Sequence, residues 1–172
     1  MRTPRSTLDD VVTGAPSDAA LWTRRGFLLA LAALLVVALS GQLGVRSTTT
    51  TATGGDYELS VRYAAVARPG LDVPWQVTVG RSGGFDDKLV LAVTGDYFDI
   101  FETQGFTPEP SAWTRDGETV YLTFDTPDGE TFRLDYDAYI QPASQQGQDG
   151  TVSVLSGGVA VVTADFDTKL WP

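Results

Sequence analysis

Polar and apolar residues change rhythm twice along this chain. Residues 1–22 show no apolar periodicity and include Pro4 and Pro16, the pattern of a disordered leader. From Gly26 to Val45 twenty residues pass without a charge, GFLLALAALLVVALSGQLGV. As a helix that run is roughly 30 Å long, the thickness of a bilayer's hydrocarbon core. It predicts a transmembrane signal-anchor helix over 23–46. Ser47 to Gly55, STTTTATGG, is small and uncharged and reads as a linker. After it the period falls to two. Residues 56–172 read as one β domain.

Tyr57, Leu59, Val61 and Tyr63 alternate with Glu58, Ser60 and Arg62. Trp75, Val77 and Val79 alternate with Gln76 and Thr78, and Lys88–Thr94 is a denser apolar run. Val120, Leu122 and Phe124 form another set, followed by Phe132, Leu134, Tyr136, Ala138 and Ile140. Thr151–Leu155 and Val159–Thr168 complete seven predicted strands. Alternation of this kind marks one buried and one wet face. Turn signals separate the runs: Arg68-Pro69-Gly70, Ser82-Gly83-Gly84, Arg115-Asp116-Gly117, Pro127-Asp128-Gly129 and Ser156-Gly157-Gly158. The spacing predicts an all-β fold, an immunoglobulin-like antiparallel β-sandwich preceded by one transmembrane helix.

Gly95 to Pro110, GDYFDIFETQGFTPEP, breaks the rhythm. It is too long for a hairpin turn and rich in aromatic residues, and ordered loops of such length are often functional. Ile100 or Phe101 is expected to plug one end of the sandwich. Residues left outside would form an apolar patch of the kind that marks a contact site. Tyr97, Phe98, Phe101 and Phe106, with Tyr139 from the wet side of its strand, are the candidate interaction surface. Trp75 is in phase with Val77 and Val79 and is expected in the core, whereas Trp113, Tyr121 and Trp171 are not clearly internal.

Charge sets the expected topology. Arg24 and Arg25 abut the apolar run on one side, and on the other Arg46 stands alone until Arg62. Short-range Arg excess marks the cytoplasmic side, so the N-terminus is expected inside the cell membrane and the β domain outside it. Two other readings stay open. Ala38-Leu39-Ser40 before Gly41 is a passable cleavage site for a secretory signal. Thr23-Arg24-Arg25-Gly26-Phe27-Leu28 resembles a twin-arginine export signal. The continuous Leu/Val core favours a retained anchor.

Composition then removes chemistries. The chain has no Cys and no His, so disulfides, thiol catalysis, imidazole bases and His-ligated zinc are all closed to it. From Asp56 to Pro172 there are 19 acidic and 7 basic residues, a net of −12. Such a domain repels nucleic acid. No phosphate-binding glycine loop is present, and no cofactor is expected. Asp86-Asp87, Asp96 with Asp99, Asp135 with Asp137 and Asp165 with Asp167 are close carboxylate pairs. Calcium favours oxygen-rich loops, but none has EF-hand spacing, so the pairs read first as solvated charge.

Inside leader, single helix, Thr-rich spacer and exported β domain together make a recognisable layout. With Pro69–Val79 (PGLDVPWQVTV) and Gly95–Phe101 (GDYFDIF), residues 20–172 resemble a set of actinobacterial single-pass membrane proteins with an extracytoplasmic immunoglobulin-like β-domain. Ten of the 12 basic residues are Arg, which suits a high-GC bacterial genome. The resemblance implies layout and carries no catalytic residue. The expectation is a non-enzymatic, membrane-anchored extracytoplasmic interaction module. It would sit in the bilayer through residues 26–45 and bind another membrane or envelope protein, as an accessory subunit of a larger assembly. A carbohydrate- or envelope-polymer-binding module is the first alternative and would need coplanar exposed aromatics. A carboxylate-based hydrolase is the second and would need two carboxylates facing a pocket.

Overall fold

A computed structural model describes residues 17–40, 44–85, 87–102 and 105–171. The chain divides into two compact units, Met1–Leu43 and Gly44–Pro172.

The first unit holds one helix, α1, Asp18–Leu39. Ser17 caps it, its hydroxyl accepting from the Ala20 amide at 3.3 Å, with Asp18 in the first turn. A side-chain oxygen and a carboxylate there satisfy orphan amides and oppose the helix dipole. The Ser40 hydroxyl donates to the Val37 carbonyl at 2.7 Å beyond the other end. None of the 22 residues is buried. The helix is long and apolar enough to cross a membrane. It begins inside the stretch read as leader and stops before Val45, so the expected span of 23–46 is shifted toward the N-terminus. Residues 1–16 of the expected leader lie outside the described residues.

The second unit is β-rich. Its strands are β1 Arg46–Gly54, β2 Tyr57–Ala67, β3 Asp72–Arg81, β4 Leu89–Thr94, β5 Phe106–Thr107, β6 Ala112–Asp116, β7 Thr119–Phe124, β8 Thr131–Tyr139, β9 Gln148–Ser156 and β10 Val159–Leu170. All seven strands expected from alternation are present, and β1, β5 and β6 join them. The expected linker is a correction. Arg46–Gly54 is a strand that pairs antiparallel with β2 from Arg46↔Val66 to Gly54↔Tyr57. Its run of Thr suits a pleated strand, and its half-buried positions, Thr50, Ala52 and Gly54, are too small to show an apolar alternation.

The strands form one hydrogen-bonded path, β5-β8-β3-β2-β10-β9-β4-β7-β6, with β1 added on β2. Among the described residues every strand pairing but one is antiparallel. The exception joins the two halves: the end of β10 runs parallel to β2 through Lys169↔Val66 and Leu170↔Ala67. The result is a curled sheet whose inner face holds a single core. Leu59, Val61, Val77 and Leu134 come from one half, and Leu91, Val93, Leu122, Val152 and Val154 from the other, all fully buried. The register read from Phe132, Leu134, Tyr136 and Ala138 is the observed one, with Arg133 and Asp137 exposed.

Turn chemistry closes the hairpins. Gly157 and Gly158 both have positive φ, 57° and 81°, between Ser156 and Val159. A two-residue turn with positive φ at both positions matches the twist of paired strands, and glycine adopts it without strain.

Candidate functional site

The two ends of the sheet path, β5 and β6, are consecutive in sequence, and only residues 108–111 separate them. Between them lies a groove of about 620 Å³. The irregular segment marked by its aromatic content borders it as a 3-10 helix, Gly95–Ile100.

In such a helix residues i and i+3 share a side. Tyr97 and Ile100 accordingly go to the core, 1% and 4% exposed, while Phe98 and Phe101 line the groove. Main-chain contacts hold the segment in place. The Gly95 amide donates to the Glu118 carbonyl at 2.7 Å, and the Gln141 amide to the Ile100 carbonyl at 2.9 Å. The Gln141 side chain donates to the Phe101 carbonyl at 2.6 Å, and the Ser144 hydroxyl to that of Ile100 at 3.1 Å.

Behind the groove stands Trp75, 1% exposed. Its ring meets Phe98 at 5.4 Å, Tyr136 at 6.1 Å and Phe106 at 6.4 Å between centroids, mostly edge to face. Phe106 and Tyr136 lie 4.8 Å apart, on paired residues of β5 and β8. Offset and edge-on ring pairs of this kind add about 0.5–1.5 kcal/mol each beyond area burial. The Trp75 indole N–H is buried without a hydrogen-bond partner among the described residues.

Of the candidate surface residues, Phe98 and Phe106 are half-buried and line the groove. Phe101 also lines it but is 3% exposed, so it acts as floor, in keeping with the expected plug. Tyr97 corrects the expectation. It is sealed in the core, its ring 4.6 Å from Phe166 and its hydroxyl 2.9 Å from that of buried Thr168. Tyr139 keeps to the wet side of its strand, as expected, but does not join the groove. It is half-buried on β8 opposite Asp72, away from the groove lining. Sequence reasoning missed the contribution of Glu109, Trp113, Arg115 and Tyr136. Trp113 is 63% exposed on a strand exposed at all five positions, so no alternation marked it. Tyr136 was read as core, and at 8% exposure it is both core and groove wall.

The groove's charges are unequal. Arg115 is engaged: its guanidinium donates to Asp96 at 2.7 Å and to the Gly117 carbonyl at 3.0 Å. Asp99 and Glu109 line the groove as well. Among the described residues no group of three or more carboxylates is assembled to hold a metal, and Asp86 lies outside them. Asp135 instead meets Arg133 at 2.9 and 3.1 Å. That guanidinium, helped by the Gln76 amide and opposed by partial burial, holds the Asp135 carboxyl below its usual value. The pair is exposed, so it adds little to stability.

Burial pushes the Tyr97 phenol well above its ordinary range, against the lowering effect of the Thr168 hydrogen bond. The unfolded chain then loses this proton more readily than the folded one. The associated stability is whole below pH about 10 and falls as pH rises toward the raised folded value. Tyr97→Phe is expected to cost about 1 kcal/mol at neutral pH, the net worth of one hydrogen bond. It should also flatten the alkaline limb of a stability–pH curve measured by denaturant titration. An unchanged limb would show that another group sets it.

No protein-family model matches the chain, and no curated protein sequence does. Among solved structures, Pseudomonas fluorescens alkylpurine DNA glycosylase AlkC, bound to DNA containing an abasic site analog, is similar over 74% of this chain at 15% identity, with a TM-score of 0.32. The match spans 31% of that protein's chain. A likeness this loose carries no argument about function.

Proposed function

We propose that this chain is a membrane-anchored, non-enzymatic interaction module. Its N-terminus is cytoplasmic, α1 is retained in the cell membrane, and the β domain is extracytoplasmic and engages another membrane or envelope protein. The observation that carries the reading is the open aromatic groove, with Trp113 63% exposed at its rim. Exposed aromatic side chains beside a desolvated pocket suit protein recognition. Arg24 and Arg25 support the orientation, and an apolar helix with no buried face supports the anchor. Resemblance to the actinobacterial single-pass proteins agrees with this layout.

The immunoglobulin-like reading of the β domain belongs to the same proposal. The order β8-β3-β2 in one half and β10-β9-β4-β7 in the other supports it. It follows strands E-B-A and G-F-C-C′ of that fold, with β2, β3, β4, β8, β9 and β10 taken as A, B, C, E, F and G.

Two measurements test the proposal. Protease added to intact spheroplasts should digest the β domain and spare the N-terminal segment. A protected domain refutes the orientation, and release of a soluble fragment starting near Gly41 refutes the anchor. Cross-linking in intact membranes should capture a partner with the native chain and lose it with Trp113→Ala. Thermal stability should move little, within about 0.5 kcal/mol for an exposed site. Capture that survives the substitution places the interaction elsewhere.

A second reading, binding of a carbohydrate or envelope polymer, draws on the same rings together with Asp99 and Glu109. Sedimentation of the full chain with purified cell-wall glycan, abolished by Trp113→Ala, would favour it over a protein partner.

A further inference from the structure

Three features meet at the groove: an unprotected sheet edge, a row of side chains on that edge turned toward it, and a surplus of negative charge. β6 closes one end of the path and, among the described residues, pairs only with β7, through five consecutive residues without a register break. Its other edge offers main-chain donors and acceptors to any strand that comes alongside. Proteins usually blunt such edges with Pro, charged side chains (Lys above all), a bulge or brevity. β5, at the opposite end, is two residues long and runs straight into Pro108. β6, AWTRD, carries no Pro and no Lys; its charges are Arg115, drawn aside to Asp96, and Asp116 at its last position, and all five residues are exposed.

Trp113 and Arg115 alternate on β6, and both line the groove. A strand paired with β6 would send every second side chain to that same side. What those side chains should be follows from charge. Arg115 is tied to Asp96 at 2.7 Å, which leaves Asp99 and Glu109 beside the rings of Phe98, Phe106, Trp113 and Tyr136. Cations bind over aromatic faces and pair with carboxylates. The surrounding domain, at −12, attracts a basic partner and repels a second copy of itself.

Resting on the interaction-module reading, we infer that the groove receives an extended basic peptide segment of a partner protein, added as a strand to β6, with Lys or Arg at alternate positions. Main-chain hydrogen bonds supply affinity in this mode, and the side-chain pocket supplies specificity.

The test uses the full-length chain in nanodiscs of zwitterionic lipid and a labelled, end-blocked nonapeptide of alternating Lys and Val, followed by fluorescence anisotropy. Saturable binding is expected, weakening as salt rises. The matching Glu/Val peptide should not bind. N-methylation of the amides along one edge of the Lys/Val peptide should weaken binding at least about tenfold, because several ladder hydrogen bonds go together. Trp113→Ala, and the pair Asp99→Asn with Glu109→Gln, should each weaken it about fivefold or more. Equal binding of both peptides, indifference to N-methylation, or unchanged affinity in the groove variants would overturn the inference, the last by showing mere attraction to an acidic surface. A dimer of the native chain that Trp113→Ala dissolves would also overturn it, since a second copy would then occupy the edge. If partner capture depends on Trp113 but no peptide binds, the inference fails and the interaction module stands. If neither occurs, both fail.

Discussion

Trp75→Ala should destabilise the β domain by about 3–5 kcal/mol, the loss typical of deleting a large buried aromatic side chain. Trp75 is 1% exposed, and rings from the 3-10 helix, β5, β8 and β10 converge on it: Phe98, Phe106, Tyr136 and Phe166 lie within 6.4 Å between centroids. The void left behind cannot be filled by one neighbour, because those rings also pack on one another. Trp75→Phe should fall well short of that loss. It keeps an aromatic ring and removes the buried indole N–H, which has no partner among the described residues and whose desolvation costs free energy in the native state. Denaturant titration of the full chain in detergent checks both variants. Losses of equal size would mean that the N–H contributes in a way the packing does not explain. Trp75→Ala should also abolish ligand capture at the groove, since three of its walls rest on this ring.

Gly147→Ala should be nearly as damaging, upwards of about 3 kcal/mol, at the top of the usual range for overpacking. A Cβ at Gly147 would stand 1.8 Å from the Thr168 carbonyl oxygen and 2.9 Å from the Lys169 Cα. Both belong to the main chain of β10, so no side chain can turn aside. β10 would have to separate from β9 where Gln148 pairs with Thr168. The same displacement would pull on the Tyr97–Thr168 hydrogen bond and on the Lys169–Leu170 contact with β2. Hydrogen exchange should quicken first at residues 148–150 and 166–170. A variant within about 0.5 kcal/mol of the native chain, the range of an ordinary surface change, would show that the 147–148 backbone relaxes freely.

Period-two alternation located the seven strands that bury one face, because burial is what writes that pattern. It was silent on the other three for the same reason. β1 half-buries only small residues, β6 has no buried face, and β5 is too short to show a period. The apolar run announced α1, yet its start at Asp18 lay in the Ser17 cap and not in hydrophobicity. At the site, the aromatic density of 95–110 was legible. Its division into core and groove was legible only in part: Ile100 and Phe101 are buried as expected, but a 3-10 turn sends Tyr97 and Phe98 to different sides although they are adjacent. The groove is also completed by Trp113 and Arg115 from β6 and by Tyr136 from β8, two strands joined only by the sheet's path.

The parallel contact between β2 and β10 has a consequence for how the chain is made. Its paired residues, Val66 and Lys169, are roughly 100 residues apart in sequence, and contacts that distant are slow to form because a long loop must close first. β10 is synthesised after every strand it joins, and it alone links the two halves of the path. A nascent domain emerging from the N-terminal side can form β1-β2-β3 hairpins early but holds their apolar faces uncovered until β10 arrives. The β domain should therefore stay protease-sensitive until β10 has been made and become resistant in that one step.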